Sequence, residues 1–550
     1  MIVIFVTQDD TTPSEVRWRD LDVDEPQQRL ATGSSQTYSQ LQWIDPMLID
    51  PAMGAATSTA DQVVQLQDPA HKDNVIFGLG MYNNPNLIYN APLVHQVSLS
   101  PCLGGASYEY VVAGDNRVHR FTMPPDAGAA QYPYTFGMTA DLGQTAASEA
   151  NVALLRRTLA NADAEGSTAT VVLLAGDLAY ADGWFSRWDS FGRMMEPLAA
   201  EYAVMTTGGN HEIGTGEAWL SYNVRYPMPH QSSGSKSNLW WSRDVGPVHL
   251  VALCSYAATH PGSLQYRWLE RDLAALDRQR TPWLIVQMHV PWYHSNSLHR
   301  DEAVAMRRNM ELLLYKAGVD LIIAGHVHAY ERTVPVLDGH PNACGPVHLT
   351  LGDGGNREGA ALPWLEPAPS WSAFRAGSFG VGALRIHNET HALFNWTRTS
   401  CEDASAPEHI NMDPTCETMA NGPWSFGSDD SVHAADHVDP EWLVRPKQRD
   451  PILAGCLLPE LIEVQTPPPM RTNTMTMAKT SAARVETSSF SSWQGLVSAV
   501  PLALTVVLAG LIGFRLGARS SRRMSPADLL PARLEVCTEQ EQECAYLAMP

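Results

Sequence analysis

Seven side chains, spread over five short blocks, have the types and the order needed for metal chemistry. The blocks are Asp141-Leu142-Gly143, Gly176-Asp177-Leu178-Ala179-Tyr180, Gly209-Asn210-His211-Glu212, Met288-His289 and Gly325-His326-Val327-His328. They supply the carboxylates of Asp141 and Asp177, the phenol of Tyr180, the amide of Asn210 and the imidazoles of His289, His326 and His328. Hard cations prefer anionic oxygen, and softer divalent ions accept imidazole. The set suits one iron-like position beside one divalent position, and two-metal sites of that kind hydrolyse phosphate esters. Each block has a plain reading when taken alone: a turn, a helix cap, a loop, a core aromatic. The ordered set does not reduce to those readings together.

The order and spacing resemble the purple acid phosphatases, within the calcineurin-like metallophosphoesterases. The resemblance also includes Arg187-Trp188-Asp189-Ser190-Phe191, Thr281-Pro282-Trp283, Pro291-Trp292-Tyr293, Ala329-Tyr330-Glu331-Arg332, Gly352-Asp353-Gly354-Gly355-Asn356-Arg357-Glu358 and Ser378-Phe379-Gly380. It covers most of residues 1 to about 445. The resemblance implies that Asp177 bridges the two metals, and that Asp141, Tyr180 and His328 hold Fe(III). It assigns Asn210, His289 and His326 to a divalent partner: Zn, Fe or Mn. Tyr180 is diagnostic, because related phosphoprotein phosphatases usually carry Gly-Asp-x-x-Asp-Arg-Gly at this block. A phenolate on iron gives the family its colour.

The implied activity is acid phosphatase action on small phosphate monoesters, by attack of a hydroxide held at the metals. A histidine then protonates the leaving alcohol, as suits mildly acid pH. His211 and His299 are the candidates. Where plant relatives often carry two adjacent histidines, this chain has Leu298-His299. Two other readings stay open: a phosphodiesterase or nucleotide pyrophosphatase on the same site, and a non-catalytic membrane-anchored surface protein. His249 leads into an apolar run and reads as structural. Glu212 reads as a partner of the ligands, and Glu331-Arg332 as a buried or capping pair.

Positioning these groups requires an α/β layered domain. Strand-like runs cover Tyr134 to Thr139, Ala169 to Leu174, Val248 to Leu253, Trp283 to Met288 and Val319 to Ala324. Helix-like runs cover Ser148 to Ala162, Gln265 to Gln279 and Glu302 to Ala317. The ligand blocks fall just after strands, where α/β folds place their sites. Further strands near Val347 to Leu351, Gly382 to Ile386 and His391 to Trp396 complete a two-sheet sandwich flanked by helices, an α/β/β/α metallophosphoesterase domain spanning 128–450. Residues 1–127 contain only short strand patterns and resemble an all-β fibronectin-III-like domain. Met1 to Thr7 reads as an internal strand, without the basic flank and length of a secretory signal. The expectation is a first domain that is N-terminally incomplete.

Residues 451–494 are rich in Ser, Thr and Pro and read as a stalk. Residues 495–514 carry no charge and are long enough to cross a bilayer as a transmembrane helix. Arg515, Arg519, Arg522 and Arg523 follow, which places the tail 515–550 in the cytosol and the catalytic domain outside or in a vacuolar or lysosomal lumen. A glycosylphosphatidylinositol signal fits less well, because its hydrophobic tail ends the chain.

The formal net charge of −22 over 550 residues argues against a nucleic-acid partner. The oligomeric state, homodimer included, stays open. Cys102, Cys254, Cys344, Cys401, Cys416 and Cys456 precede the span, and this even set suits disulfides. Asn388-Glu389-Thr390 and Asn395-Trp396-Thr397 match the glycosylation pattern.

Overall fold

A computed structural model of the chain describes residues 1–24, 27–41, 88–128, 132–214, 216–399 and 441–444. The stalk, the span at 495–514 and the tail lie outside the described residues. Among the described residues, no helix is long and apolar enough to cross a membrane.

The described elements before residue 128 are all strands: β1 (Ile2–Thr7), β2 (Glu15–Asp20), β3 (Arg29–Thr32), β4 (Ser34–Gln36), β5 (Ser39–Leu41), β6 (Ile88–Asn90), β7 (Leu93–Ser98), β8 (Ser107–Val112) and β9 (His119–Thr122). Antiparallel pairing orders them as β1-β7-β4 and β3-β2-β8-β9, with β5 and β6 as a separate pair. Alternation drives the packing, since successive strand residues face opposite sides. Val3 and Val97 from one sheet meet Val16, Trp18, Tyr108 and Phe121 from the other.

The chain continues with β10 (Tyr134–Thr139), α1 (Ala146–Ala164), β11 (Thr168–Leu174), α2 (Arg187–Ala199), β12 (Ala203–Thr206), α3 (Asn210–Ile213), α4 (Leu220–Arg225), β13 (Trp241–Val245), β14 (Val248–Ala252), α5 (Leu264–Ala274), β15 (Trp283–Gln287), α6 (Val304–Lys316) and β16 (Leu321–Ala324). It closes with β17 (Tyr330–Thr333), the hairpin β18 (Val336–Leu337) and β19 (His340–Pro341), then β20 (Val347–Leu351), β21 (Ser372–Ala376), β22 (Gly380–Ile386), β23 (His391–Arg398) and β24 (Glu441–Val444). One sheet runs β12-β11-β10-β22-β23-β24, and the other β13-β14-β15-β16-β20-β17-β21.

Two-sided burial explains the near-continuous apolar strands. In β11, Val171 and Leu173 face the core between the sheets, whereas Val172 and Leu174 face α1 and α2. In β14 and β15, Leu250 and Ile285 face that same core, whereas Val251, Leu284 and Val286 pack on α5 and α6. The layers are therefore helix, sheet, sheet, helix. Each buried Val or Leu contributes about 1.5–3 kcal/mol relative to exposure.

Cys254 and Cys102 are free thiols, so the expectation of an all-disulfide outer set is corrected for these two. Cys254 is fully buried, its backbone held from both sides by Gln265 at 2.7 and 3.0 Å. Cys344 is disulfide-bonded.

His249 is structural in a specific way. Its Nδ1 lies 2.7 Å from Asp244 and its Nε2 3.0 Å from Asp272. Burial opposes the charge, but the two carboxylates push the imidazole up to about 9. The folded value lies above the ordinary 6.5, so the stabilisation is full below about pH 6.5 and is lost as pH rises through about 9. Between pH 6 and 10 the wild type should lose on the order of 2–3 kcal/mol more stability than His249→Gln in urea titrations. Equal losses in the two proteins would show that the pair contributes nothing.

Candidate metal centre

Every expected ligand lies just past the carboxyl end of a parallel strand. Asp141 follows β10, Asp177 and Tyr180 follow β11, and Asn210 opens α3 after β12. His289 follows β15, and His326 and His328 follow β16. The first group hangs from one sheet and the second from the other. Asp141, Asp177, Tyr180 and His326 all adopt left-handed backbone, with φ between 48° and 68°. Such conformations cost energy in residues with a Cβ and persist where the surroundings over-determine them. Glycine is needed where the loops touch: a Cβ on Gly325 would strike the Asp141 carboxylate, and one on Gly209 would strike Asp177.

The seven groups converge. Tyr180 Oη lies 2.9 Å from His328 Nε2, 3.1 Å from Asp141 Oδ1 and 3.5 Å from Asp177 Oδ2. His289 Nε2 lies 3.1 Å from both Asn210 Oδ1 and Asp177 Oδ2. Ligand atoms of Asp177, His289 and His326 all fall within 4.8 Å of one another. Asp177 is thus the side chain common to both subgroups.

Outward contacts orient the rings. His289 Nδ1 sits 2.9 Å from the Ala175 carbonyl, and His328 Nδ1 sits 3.2 Å from that of Gly359. His326 Nε2 sits 2.7 Å from Glu302 Oε2. Each imidazole therefore has one nitrogen committed to an outer acceptor, and His289 and His328 turn the other inward, the arrangement metal-ligating histidines adopt. Glu302 also holds His299 Nδ1 at 3.0 Å, and the His299 and His326 rings are 4.1 Å apart. His299 thus lies at the rim, beside the ligands.

The electrostatics fit two cations. Asp141 and Asp177 are buried, and the charges facing them come from histidines rather than lysine or arginine. Burial works against ionising Asp177, but His289 and His211 outweigh it and hold its carboxyl far below the usual range. Burial and the two carboxylates hold the Tyr180 phenol well above its ordinary range. Only a strongly charged cation at its oxygen would make it a phenolate.

His211 stands beside this centre. Its backbone N–H donates to Asp177 Oδ1 at 2.9 Å, and its Nδ1 meets Asp182 Oδ1 at 2.5 Å. Its Nε2 points toward Asp177 Oδ2 at 3.8 Å and Glu358 Oε1 at 3.6 Å. Burial lowers its affinity for protons, but Asp177 and Asp182 push it up to about 10.

Residues 134–330 match the family model of calcineurin-like phosphoesterases, and residues 345–405 match that of iron/zinc purple acid phosphatase-like protein C. Purple acid phosphatase 18 of Arabidopsis thaliana is 42% identical over 328 residues, covering 59% of this chain and 72% of the relative. The chain belongs to the purple acid phosphatase family. Two further members of that family are similar to it. The purple acid phosphatase of Glycine max is 36% identical over 377 residues, 64% of this chain and 77% of the relative. Fe(3+)-Zn(2+) purple acid phosphatase 12 of Arabidopsis thaliana is 35% identical over 345 residues, 58% and 72% respectively. In fold, the chain is similar to purple acid phosphatase PPD1 from yellow lupin (Lupinus luteus) seeds. That match has a TM-score of 0.58 at 20% identity and covers 74% of this chain and 70% of the lupin chain.

Sequence reasoning missed several groups that complete the purple acid phosphatase site here. Asp182 and Arg357 stand behind His211, and Glu302 stands behind His326. The Tyr256 hydroxyl donates to Asn210 Oδ1 at 3.1 Å. Asp182 lies two residues past Tyr180 in the same loop and Glu302 three past His299, so local spacing was the available signal.

Proposed function

We propose that the chain hydrolyses phosphate monoesters, with Asp141, Tyr180 and His328 holding Fe(III), Asn210, His289 and His326 holding a divalent ion, and Asp177 shared. The observation carrying this reading is the convergence of seven donors whose three imidazoles are each tied outward by an acceptor. The division is the one the resemblance implies, and the distances support it: Tyr180, Asp141 and His328 cluster on one side of Asp177, and His289 and Asn210 on the other. When bound, the pair supplies Lewis-acid charge at the phosphoryl oxygens and a water acidified far below its bulk pKa of about 15.7.

The chain's own groups do the rest. Asp182 locks His211 Nδ1, so Nε2 is the atom that carries a proton to the leaving alkoxide. His299 lies at the rim, where its ring can contact the ester. Burial of Asp141, Asp177 and His289 keeps bulk water from the donors.

We further assign residues 1–127 to a fibronectin-III-like domain, 128–450 to the catalytic domain, 451–494 to a stalk, 495–514 to a membrane helix and 515–550 to a cytosolic tail. The catalytic domain then faces the outside or a lumen. Asn388, exposed at the tip of the β22–β23 hairpin, is the better glycosylation acceptor, because Asn395 lies within β23 and is partly buried.

The test is an absorption spectrum and metal analysis of the full chain in detergent, followed by chromogenic monoester and diester assays. The expected result is a visible band, about one iron and one further divalent ion per chain, and faster monoester turnover. Colourless protein with two other metals would remove Tyr180 from iron. Faster diester turnover would replace the monoesterase reading.

A further inference from the structure

Arg357 belongs to the Gly-Asp-Gly-Gly-Asn-Arg-Glu block, and neither the metals nor the proton transfer has used it. Its guanidinium reaches three parts of the centre at once. One nitrogen donates to the Tyr180 carbonyl at 2.7 Å. Another donates to Asp182 Oδ2, the oxygen not engaged by His211. The guanidinium carbon lies 5.6 Å from the centroid of the Tyr180 ring. The His211 ring lies 4.0 Å from that same ring. Asp182 is buried and, like Tyr180, in left-handed backbone with φ of 48°.

We propose that Arg357 is a positioning residue that aims His211 through Asp182 and sets the electronic environment of the Tyr180 phenolate. The proposal rests on the dinuclear phosphatase reading above. A carboxylate alone can swing about its Cβ–Cγ bond. With Oδ2 tied to Arg357, Oδ1 is held on His211 Nδ1, and Nε2 stays turned to the centre. The planar fork serves Asp182 and the Tyr180 carbonyl together, which a single ammonium cannot match. A cation near an aromatic face attracts its electrons. It therefore lowers the energy of an electron-rich phenolate, and moving an electron from phenolate to iron costs more.

The test uses purified metal-loaded full-length chain carrying Arg357→Met or Arg357→Lys, with iron measured in each. Arg357→Met should keep both metals, shift the visible band to longer wavelength and lower kcat roughly ten- to a hundredfold, part of what a positioned acid supplies. KM should change little. In a His211→Ala background the same change should still move the band but cost no further kcat, because residues acting as one unit are not additive. Arg357→Lys should restore the band toward wild type and recover kcat only in part. An iron-loaded Met variant with wild-type band and kcat overturns the proposal, as does a full additional loss on top of His211→Ala. If Arg357→Met does not load iron, Arg357→Lys decides alone: wild-type kcat there overturns the role of the fork. Wild-type protein without iron or phosphatase turnover overturns the site reading itself, and the proposal with it.

Discussion

Asp177→Asn should lower kcat/KM for a phosphate monoester by at least about a hundred- to a thousandfold, the scale lost with one group that stabilises developing charge. The change is small in shape and large in charge. Asp177 is buried, and its Oδ2 faces both His289 Nε2 at 3.1 Å and Tyr180 Oη at 3.5 Å. An amide there keeps one weaker oxygen donor and turns an NH2 toward the imidazole that should meet a metal. The backbone contact from His211 to Oδ1 also depends on which way the amide lies. Metal content should fall with activity, because the shared ligand contributes to both positions. Turnover within a few-fold of wild type would end the assignment of Asp177 as the shared ligand.

Glu212→Ala should be the largest loss of stability from a single side chain at the site, about 3 kcal/mol or more. Glu212 is buried, and its carboxylate faces backbone donors. Its Oε2 accepts from Asp177 N–H and Gly209 N–H, and its Oε1 from Leu178 N–H, each at 2.9 Å. Removing it leaves three buried backbone donors without partners, and each costs about 1–3 kcal/mol. Burial and the Asp177 charge push its carboxyl up, against the Gly209 and Leu178 N–H groups that favour the ionised form. Glu212→Gln should lie between, since one of its ends presents a donor to a donor. Urea or thermal unfolding of metal-free wild type and variants isolates the effect from metal binding. A loss below about 1 kcal/mol for Glu212→Ala would mean that the loops hold without it.

The convergence of the candidate ligands was legible because metal chemistry restricts residue types, and because strand ends restrict where those types can stand. Tyr134–Thr139 and Val347–Leu351 are strands buried at every position, and their bounds agree with the sequence reading. Helix Arg187–Ala199 was read only as a motif. Gly192 and Pro197 interrupt its pattern, yet the helix runs through both and ends only at Ala199. The partners behind the ligands were not legible for a different reason. Arg357 meets Asp182 across 175 positions of chain, and no periodicity marks a pair joined only by the fold. Cysteine parity misled for Cys102 and Cys254, because counting thiols says nothing about whether their loops can meet.

The placement of the ligands on two different sheets has a mechanical consequence. Asp141, Asp177 and Asn210 grip from one leaf, and His289, His326 and His328 grip from the other. Cations held between them would act as rivets along one margin of a two-leaved book, whose spine is the apolar filling between the leaves. Removing the ions would then leave that margin joined only by the chain's own contacts across it, such as His326 N–H to Asp141 Oδ2 at 2.7 Å and Tyr180 Oη with His328 Nε2 at 2.9 Å.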